Sequence, residues 1–496
     1  MVPTCQLQCS LSHDKDEPLV MQDSRFQNMH RPAHVTARIK EQQRMASAGV
    51  RGRQPDKALL GFYASMEHLC SVAGPLLNHI NLSAIVTATA QLWTLAQANS
   101  SFKPSADKVA SGLTHLYSST LLQLEPMLPN VEAQQISNIL WSSARLGLSP
   151  DAFVPGMTDA LAAKLLQLTK DEARRQPSAQ HCANFLWALA TLGHALADKG
   201  FLDVVCNYFA RLIKHQDHSK RPNARDCANI MWALGETNHS PPDGAASAVL
   251  EWFTRPCKLP GQEPNAQDLS NTLFACAVLH LKVKGHVSLA LVNGLLRLDR
   301  AHGLEQDYCN AAWDLAVSGI LSSEMFLALL ERLRSWPTAE SAHDALPRQG
   351  LFQLYQALDS LQPLPSAATQ QLQEMVTRLG ARPLLDERTA AELSASKHLS
   401  AALEQLGLTF TANVPLSGYW ADAVLQPQDD NAAPVVVVVD ASDYIRNKDK
   451  RCVLQSSVSL RQYSGCHSSF SLHGIEYSCH SAYNEYYTPF MLAHAA

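Results

Sequence analysis

Between residues 82 and 361 apolar side chains recur at spacings of three and four, and the same arrangement is written several times. In RDCANIMWALGETNH, residues 225–239, the positions Cys227, Ile230, Met231, Ala233 and Leu234 make one stripe of an amphipathic helix. Near-copies begin at Gln134, Gln180, Gln267 and Gln306. With an aromatic residue as anchor, the units fall at Trp93, Trp141, Trp187, Trp232, Phe274 and Trp313, with Tyr355 a weak seventh. Successive anchors are 48, 46, 45, 42, 39 and 42 residues apart, a period in the range of helical-repeat solenoids. Pro, Asn or Ser precedes several of these helices (QPSAQH, RPNARD, EPNAQD), and Gly147, Gly193 and Gly319 stand where a left-handed cap ends one. A second, less regular helix follows each: MTDALAAKLLQL, FLDVVCNYFARLIKH and HVSLALVNGLLRL. The pattern predicts a mostly α protein, an α-α superhelical solenoid of antiparallel helix pairs, each burying its stripe against its neighbours.

Three positions within the repeated helix carry distinct expectations. The Trp or Phe anchor reads as a knob of the inter-repeat core, where burial stabilises by about 2–3 kcal/mol. The Asn three residues earlier (Asn138, Asn184, Asn229, Asn271, Asn310) lies on nearly the same face, and a ladder of bonds to adjacent repeats would satisfy it. Six and seven residues before the anchor stand the pairs Gln134-Gln135, Gln180-His181, Arg225-Asp226, Gln267-Asp268 and Gln306-Asp307. The frame repeats while this pair changes and stays polar. Modular readers behave this way when each repeat meets one base; a solvated first turn would also favour Asp and Gln.

After Trp336 the rhythm changes. Pro-, Ala- and Ser-rich text gives way to a helix near residues 386–406, then FTANVP and YWADAVLQP alternate like strands. The run PVVVVVDAS, ending in Asp440 and Ser442, reads as a strand buried on both faces. From about Cys452 no helical or strand rhythm is legible, and this segment is expected not to complete a fold. The predicted organisation is 1–75 disordered or targeting, 76–361 repeats, 362–400 linker and helix, 401–451 a small, truncated α/β segment, and 452–496 an irregular tail.

Bulk properties narrow the function classes. A chain of 496 residues exceeds one core. Its formal charge of −5 excludes a protein that coats nucleic acid over its whole surface. Between Trp141 and Trp313 there are 17 Lys and Arg against 16 Asp and Glu, so any phosphate-binding surface must be a local edge. Basic residues do cluster, at Lys164, Lys170, Arg174 and Arg175, and again at Arg211, Lys214, Lys220, Arg221 and Arg225. Of these, Lys170, Arg174, Arg175, Lys214, Lys220 and Arg221 are the candidate phosphate contacts.

The twelve cysteines include no C-x-x-C pair, and Cys182, Cys227, Cys276 and Cys309 fall where the repeated helix needs a small apolar residue; reduced thiols are expected. Cys466, His467, His473, Cys479 and His480 match no standard zinc spacing, so neither metal nor other cofactor is expected. No apolar run reaches the roughly 20 residues that span a bilayer. The first twenty residues contain Asp14, Asp16 and Glu17, whereas the text from Met21 to Arg53 is rich in Arg and reads as organelle targeting or a disordered tail. No Gly-rich phosphate loop, G-x-S-x-G elbow or H-E-x-x-H helix is present, which disfavours conventional enzymes, and no small-molecule substrate is expected.

CANFLWALATLG, residues 182–193, resembles the octotricopeptide repeat, whose helix reads approximately P-x-x-L-A-N-x-L-W-A-L-A-x-L-G. The resemblance covers residues 82–361 and is most specific at Trp141, Trp187 and Trp232. It implies a helical-repeat protein that binds single-stranded RNA in chloroplasts or mitochondria, alongside other organellar RNA-processing proteins, and that matures, stabilises or helps translate a transcript. Its organisation is similar to that of FAST-kinase-like mitochondrial RNA proteins. VVVDASDYIRN, residues 437–447, resembles the start of a RAP domain, E-V-D-G-P-x-H-[FY]-x-x-N. Asp440 matches directly; Tyr444 and Asn447 match with one residue of the pattern missing; Val438, Ala441, Ser442 and Asp443 stand in place of its Glu, Gly, Pro and His. That resemblance implies a restriction-endonuclease-like fold, in which Asp422 and Asp440 would be two metal-binding acids. With Val438 in place of the Glu, no catalytic residue is expected. Sequence-selective RNA binding is thus the leading expectation, with a protein-interaction scaffold and a metal-dependent endoribonuclease as alternatives.

Overall fold

The structure is a computed structural model that describes residues 31–334 except 103–106, 172–175, 199, 218–219, 256–262 and 299–304. Beyond these it describes 353–354, 357–358, 361, 390–405, 407–416, 419–425, 435–437 and 461–462. The chain divides into two units, Met1–Trp252 and Phe253–Ala496, so the division falls inside the expected repeat region.

The first unit holds helices α1 (Pro32–Val50), α2 (Pro55–Ala73), α3 (His79–Gln97), α4 (Asp107–Leu124), α5 (Ala133–Leu146), α6 (Met157–Thr169), α7 (Ala179–Leu192), α8 (Phe201–Ile213), α9 (Ala224–Glu236) and α10 (Asp243–Trp252). They form two layers. The odd-numbered helices pack successively on one another, and α2 on α4 and α6 on α8 on α10 make the second layer. Neighbours in the first layer run parallel and in register. At the start of α3, the Asn81 amide donates to Pro32 O (3.0 Å) and Thr36 Oγ1 (2.8 Å) at the start of α1. At the far end Asn99 donates to Val50 O (2.8 Å) and Gly52 O (2.9 Å).

Among the described residues the array therefore begins at Pro32, ahead of the expected start at residue 76. The Arg-rich text read as tail or targeting segment includes α1, which buries Val35, Ile39 and Val50. So narrow an apolar stripe on a helix of Ala, Gln and Arg carries almost no period in sequence. Close approach of α1 to α2 is permitted by Gly49, where a Cβ would stand 2.8 Å from the Ala58 Cβ. Residues 1–30, including Met21, lie outside the described residues.

The core between layers is made by aliphatic and Phe side chains: Ile139, Leu140, Phe185, Leu186, Ile230, Met231, Phe201 and Phe209 are all at most 1% exposed. Phe185 of α7 meets Phe201 of α8 with ring centroids 5.3 Å apart. Trp141, Trp187 and Trp232 are only half-buried, which corrects the expectation that they are the core knobs. Trp93 is buried and meets Phe102 edge-on at 5.4 Å, but it is out of register. Counted from the helix start, Thr87 of α3 is the equivalent of Trp141 in α5. Cys182 and Cys227 are fully buried and free, as the small-residue reading required. Gly147 (φ 67°) and Gly193 (φ 61°) close α5 and α7 in the left-handed conformation.

The second unit repeats the pairing in α11 (Ala266–Val278), α12 (Gly285–Arg297), α13 (Glu305–Val317) and α14 (Ser323–Arg334), with α11 packed on α13 and α12 on α14. Tyr355 lies outside the described residues. Further along, α15 (Ala390–Gln405) packs on a four-stranded antiparallel sheet, β1 (Phe410–Leu416), β2 (Tyr419–Leu425), β3 (Val435–Val437) and β4 (Arg461–Gln462), in that order. Leu399, Leu403 and Ala423 form its small core. Both alternating segments are strands, paired Phe410 with Leu425 through Leu416 with Tyr419. The valine run supplies β3, and Arg461–Gln462, within the tail expected not to complete the fold, pairs with it as a two-residue strand. The rest of 452–496, Asp440 and the Cys466–His480 group lie outside the described residues.

One buried group in the second unit opposes folding. Asp314 of α13 is 1% exposed, and its Oδ2 has no hydrogen-bond partner. Burial raises its carboxyl well above the usual carboxylate range. Equivalent positions elsewhere are Ser142, Ala188, Ala233 and Ala275. A buried unsatisfied group costs about 1–3 kcal/mol, so Asp314→Ala is expected to stabilise this unit by that order. The folded-state pKa exceeds the unfolded one near 3.9. The native state then binds the extra proton, and wild-type stability is lost as pH rises above about 4. Urea melts at pH 5 and pH 8 should show the gain growing with pH; a variant less stable at both would contradict this reading.

Candidate nucleic-acid interface

Helix starts align the repeats. N1 denotes the first helical residue, so α5, α7, α9 and α11 follow N-caps Glu132, Ser178, Asn223 and Asn265. The polar pairs then occupy N2 and N3, the Asn occupies N6 and the aromatic anchor N9. At 100° per residue N2, N6 and N9 share one face, and N3 turns away from it.

The pair divides accordingly. At N2, Gln134, Gln180, Arg225 and Gln267 are exposed and Gln306 is half-buried. At N3, Gln135, Asp226, Asp268 and Asp307 are 6–8% exposed, and His181 is half-buried. Four N3 side chains fold back onto their own helix start. Gln135 Oε1 accepts from Glu132 N (3.2 Å), His181 Nδ1 from Ser178 N (3.2 Å), Asp226 Oδ2 from Asn223 N (3.1 Å) and Asp268 Oδ2 from Asn265 N (3.1 Å). Each closes a capping box. Burial lowers the His181 pKa, which keeps Nδ1 the acceptor this bond requires. These four N3 members, expected to contact bases, are thus engaged in capping, and in the first unit Gln134, Gln180 and Arg225 remain exposed at N2. Removing a cap costs about 0.5–2 kcal/mol. Asp226→Ala is therefore expected to lower the melting temperature of the first unit while Arg225→Ala leaves it unchanged. Thermal melts of the two variants check this, and equal shifts would reverse the assignment.

The N6 asparagines do not form the expected ladder. All five are half-buried. Among the described residues, Asn138, Asn184, Asn229 and Asn271 make no side-chain hydrogen bond, and Asn310 accepts from Gln306 Nε2 at 2.8 Å. Gln306 also donates to Gln353 Oε1 (2.7 Å).

The N9 aromatics lie beside them, half-buried: Trp141, Trp187, Trp232, Phe274 and Trp313. In the first unit they join into one row. The Arg145 guanidinium sits 5.5 Å from the Trp141 ring and 4.9 Å from the Trp187 ring, and the Trp187 and Trp232 centroids are 6.4 Å apart with planes tilted 34°. Arg145 is exposed, and among the described residues it has no carboxylate partner.

Basic side chains occupy the edge where α7 and α9 begin. Lys170 caps the C-terminus of α6 and Lys214 that of α8; both are exposed, as is Lys220. Arg221 is half-buried, its Nε donating to His215 O (2.7 Å). Lys164 Nζ donates to Pro129 O (2.7 Å), and Arg211 lies over the Tyr208 ring at 5.3 Å. Arg174 and Arg175 lie outside the described residues. This edge is fastened to the second layer by repeated bonds: Tyr208 OH donates to Pro177 O (2.7 Å) and Trp252 Nε1 to Pro222 O (3.1 Å).

Asp422 is 1% exposed within β2, and Asp440 is not among the described residues. The described residues hold no group of three or more His, Cys, Asp or Glu arranged to bind a metal, and no described helix is long and apolar enough to cross a membrane. No family model matches the chain, and no curated protein matches its sequence.

Proposed function

We propose that this protein binds single-stranded RNA sequence-selectively, acting in maturation, stability or translation of a chloroplast or mitochondrial transcript as its octotricopeptide-like repeats imply. One observation carries the reading: in the first unit the parallel helices α5, α7 and α9 present, in register on one face, an exposed polar N2 side chain, an unpaired N6 amide and a half-exposed N9 ring. A repeated frame with one exposed polar side chain per helix suits a polymer of similar monomers met one at a time. The lysines where α7 and α9 begin suit its phosphates. Selection of ligands from a random single-stranded RNA pool tests the proposal. A short enriched motif, bound as a single strand and not as a duplex, is expected. No enrichment, or equal binding of the duplex, would overturn it.

A further inference from the structure

We infer that the row Trp141–Arg145–Trp187–Trp232 is a stacking track for consecutive unpaired bases. On this track the recurring tryptophans, with Arg145 between the first two, hold the strand without selecting sequence, and the N2 residues do the selecting. The inference rests on the RNA-binding reading and adds a mode of contact to it. Three observations support it independently of one another.

The rings are on the surface of a helix layer whose interior is already filled. Phe185 is fully buried in α7, and Trp187, two residues on, is half-buried on the face. A repeat that needed only core volume would have no use for an indole outside it. The rings are also placed to be used together. Trp187 and Trp232 come from equivalent positions of adjacent helices, and Arg145 bridges Trp141 to Trp187 by lying near both. A guanidinium plane offers a base the same kind of flat, cationic partner as an aromatic face. Finally, the polar groups around the rings are unsatisfied by the protein. The amides of Asn138, Asn184 and Asn229 have no partner among the described residues, and Arg145 has no carboxylate. An amide is at once donor and acceptor, so it can meet any base edge or a ribose hydroxyl. An uncompensated cation beside it suits a phosphate-bearing strand.

Constancy and selectivity then separate by position. Every base has a π face, so stacking tolerates any sequence. Discrimination falls to the exposed N2 residues on the same face, Gln134 and Gln180 in α5 and α7 and Arg225 in α9. Arg225 is suited to a guanine edge and the glutamines to adenine.

The test uses the full chain with a panel of short single-stranded RNAs of different sequence, read by direct binding and by intrinsic tryptophan fluorescence. Trp187→Leu keeps an apolar side chain at the site and removes the π face; Trp187→Phe keeps a smaller one. Thermal melts confirm that both variants fold. Trp187→Leu is expected to weaken every RNA roughly tenfold, by a similar factor across sequences, with Trp187→Phe recovering much of the loss. Wild-type fluorescence should be quenched on binding. Arg225→Ala should instead alter the order of preference within the panel. If wild type binds RNA and Trp187→Leu binds within twofold of it without change in quenching, the stacking track is wrong and the RNA-binding reading stands. If wild type binds no RNA in the panel and selection enriches none, both fail.

Discussion

Phe185→Ala is expected to destabilise the first unit by about 3–5 kcal/mol, since deleting a fully buried aromatic ring removes its transfer energy and leaves a cavity. Phe185 is fully buried and lies 5.3 Å, ring to ring, from Phe201, so it joins α7 to α8 across the two layers. Against a total stability of roughly 5–15 kcal/mol for a typical domain, one such change can unfold the unit at ambient temperature. The informative comparison is Trp187→Ala on the same helix, which removes a larger but half-exposed ring. Chemical denaturation followed by circular dichroism should show a large loss for Phe185→Ala and a much smaller one for Trp187→Ala. Similar losses would place Trp187 in the core and remove it from the interface.

A second large effect is expected at the basic edge. Each single-strand phosphate neutralised adds about 0.7 to the slope of log affinity against log salt. Replacing Lys170, Lys214 and Lys220 together by alanine should lower that slope by about two. Affinity should fall on the order of 100-fold at 0.1 M salt, nearly equally for all sequences. All three side chains are exposed, so folding should be spared. Binding titrations from 50 to 300 mM salt measure the slope, and an unchanged slope would move the phosphate path away from this edge.

The repeat was legible in sequence because its apolar stripe, its cap residues and its left-handed glycines all follow from local rules. Gly147 and Gly193 and the starts after Ser178, Asn223 and Asn265 are found where the text places them. Besides the asparagine ladder, three features were misread, each for a physical reason. The N3 residues vary like contact residues, yet Asp226 and Asp268 cap their helices; Asn-x-x-Asp directly before an apolar stripe was the available signal. The tryptophans were assigned to the core by hydrophobicity alone, although the 40° and 20° offsets of N6 and N9 from N2 already tie them to an exposed polar stripe. α1 went unrecognised because Val35, Ile39 and Val50 are its whole buried set, and tertiary contact with α2 and α3 supplies what its own pattern lacks. The Arg145 bridge could not be read from one helix, because it depends on the spacing between two.

Photo-crosslinking of the full chain to a selected single-stranded RNA, with the modified residues located by mass spectrometry, asks where the strand lies. Crosslinks are expected on the N2, N6 and N9 residues of α5, α7 and α9, Trp141, Trp187 and Trp232 foremost. Crosslinks confined to the second-layer helices α6, α8 and α10, or scattered without preference for either layer, would contradict it.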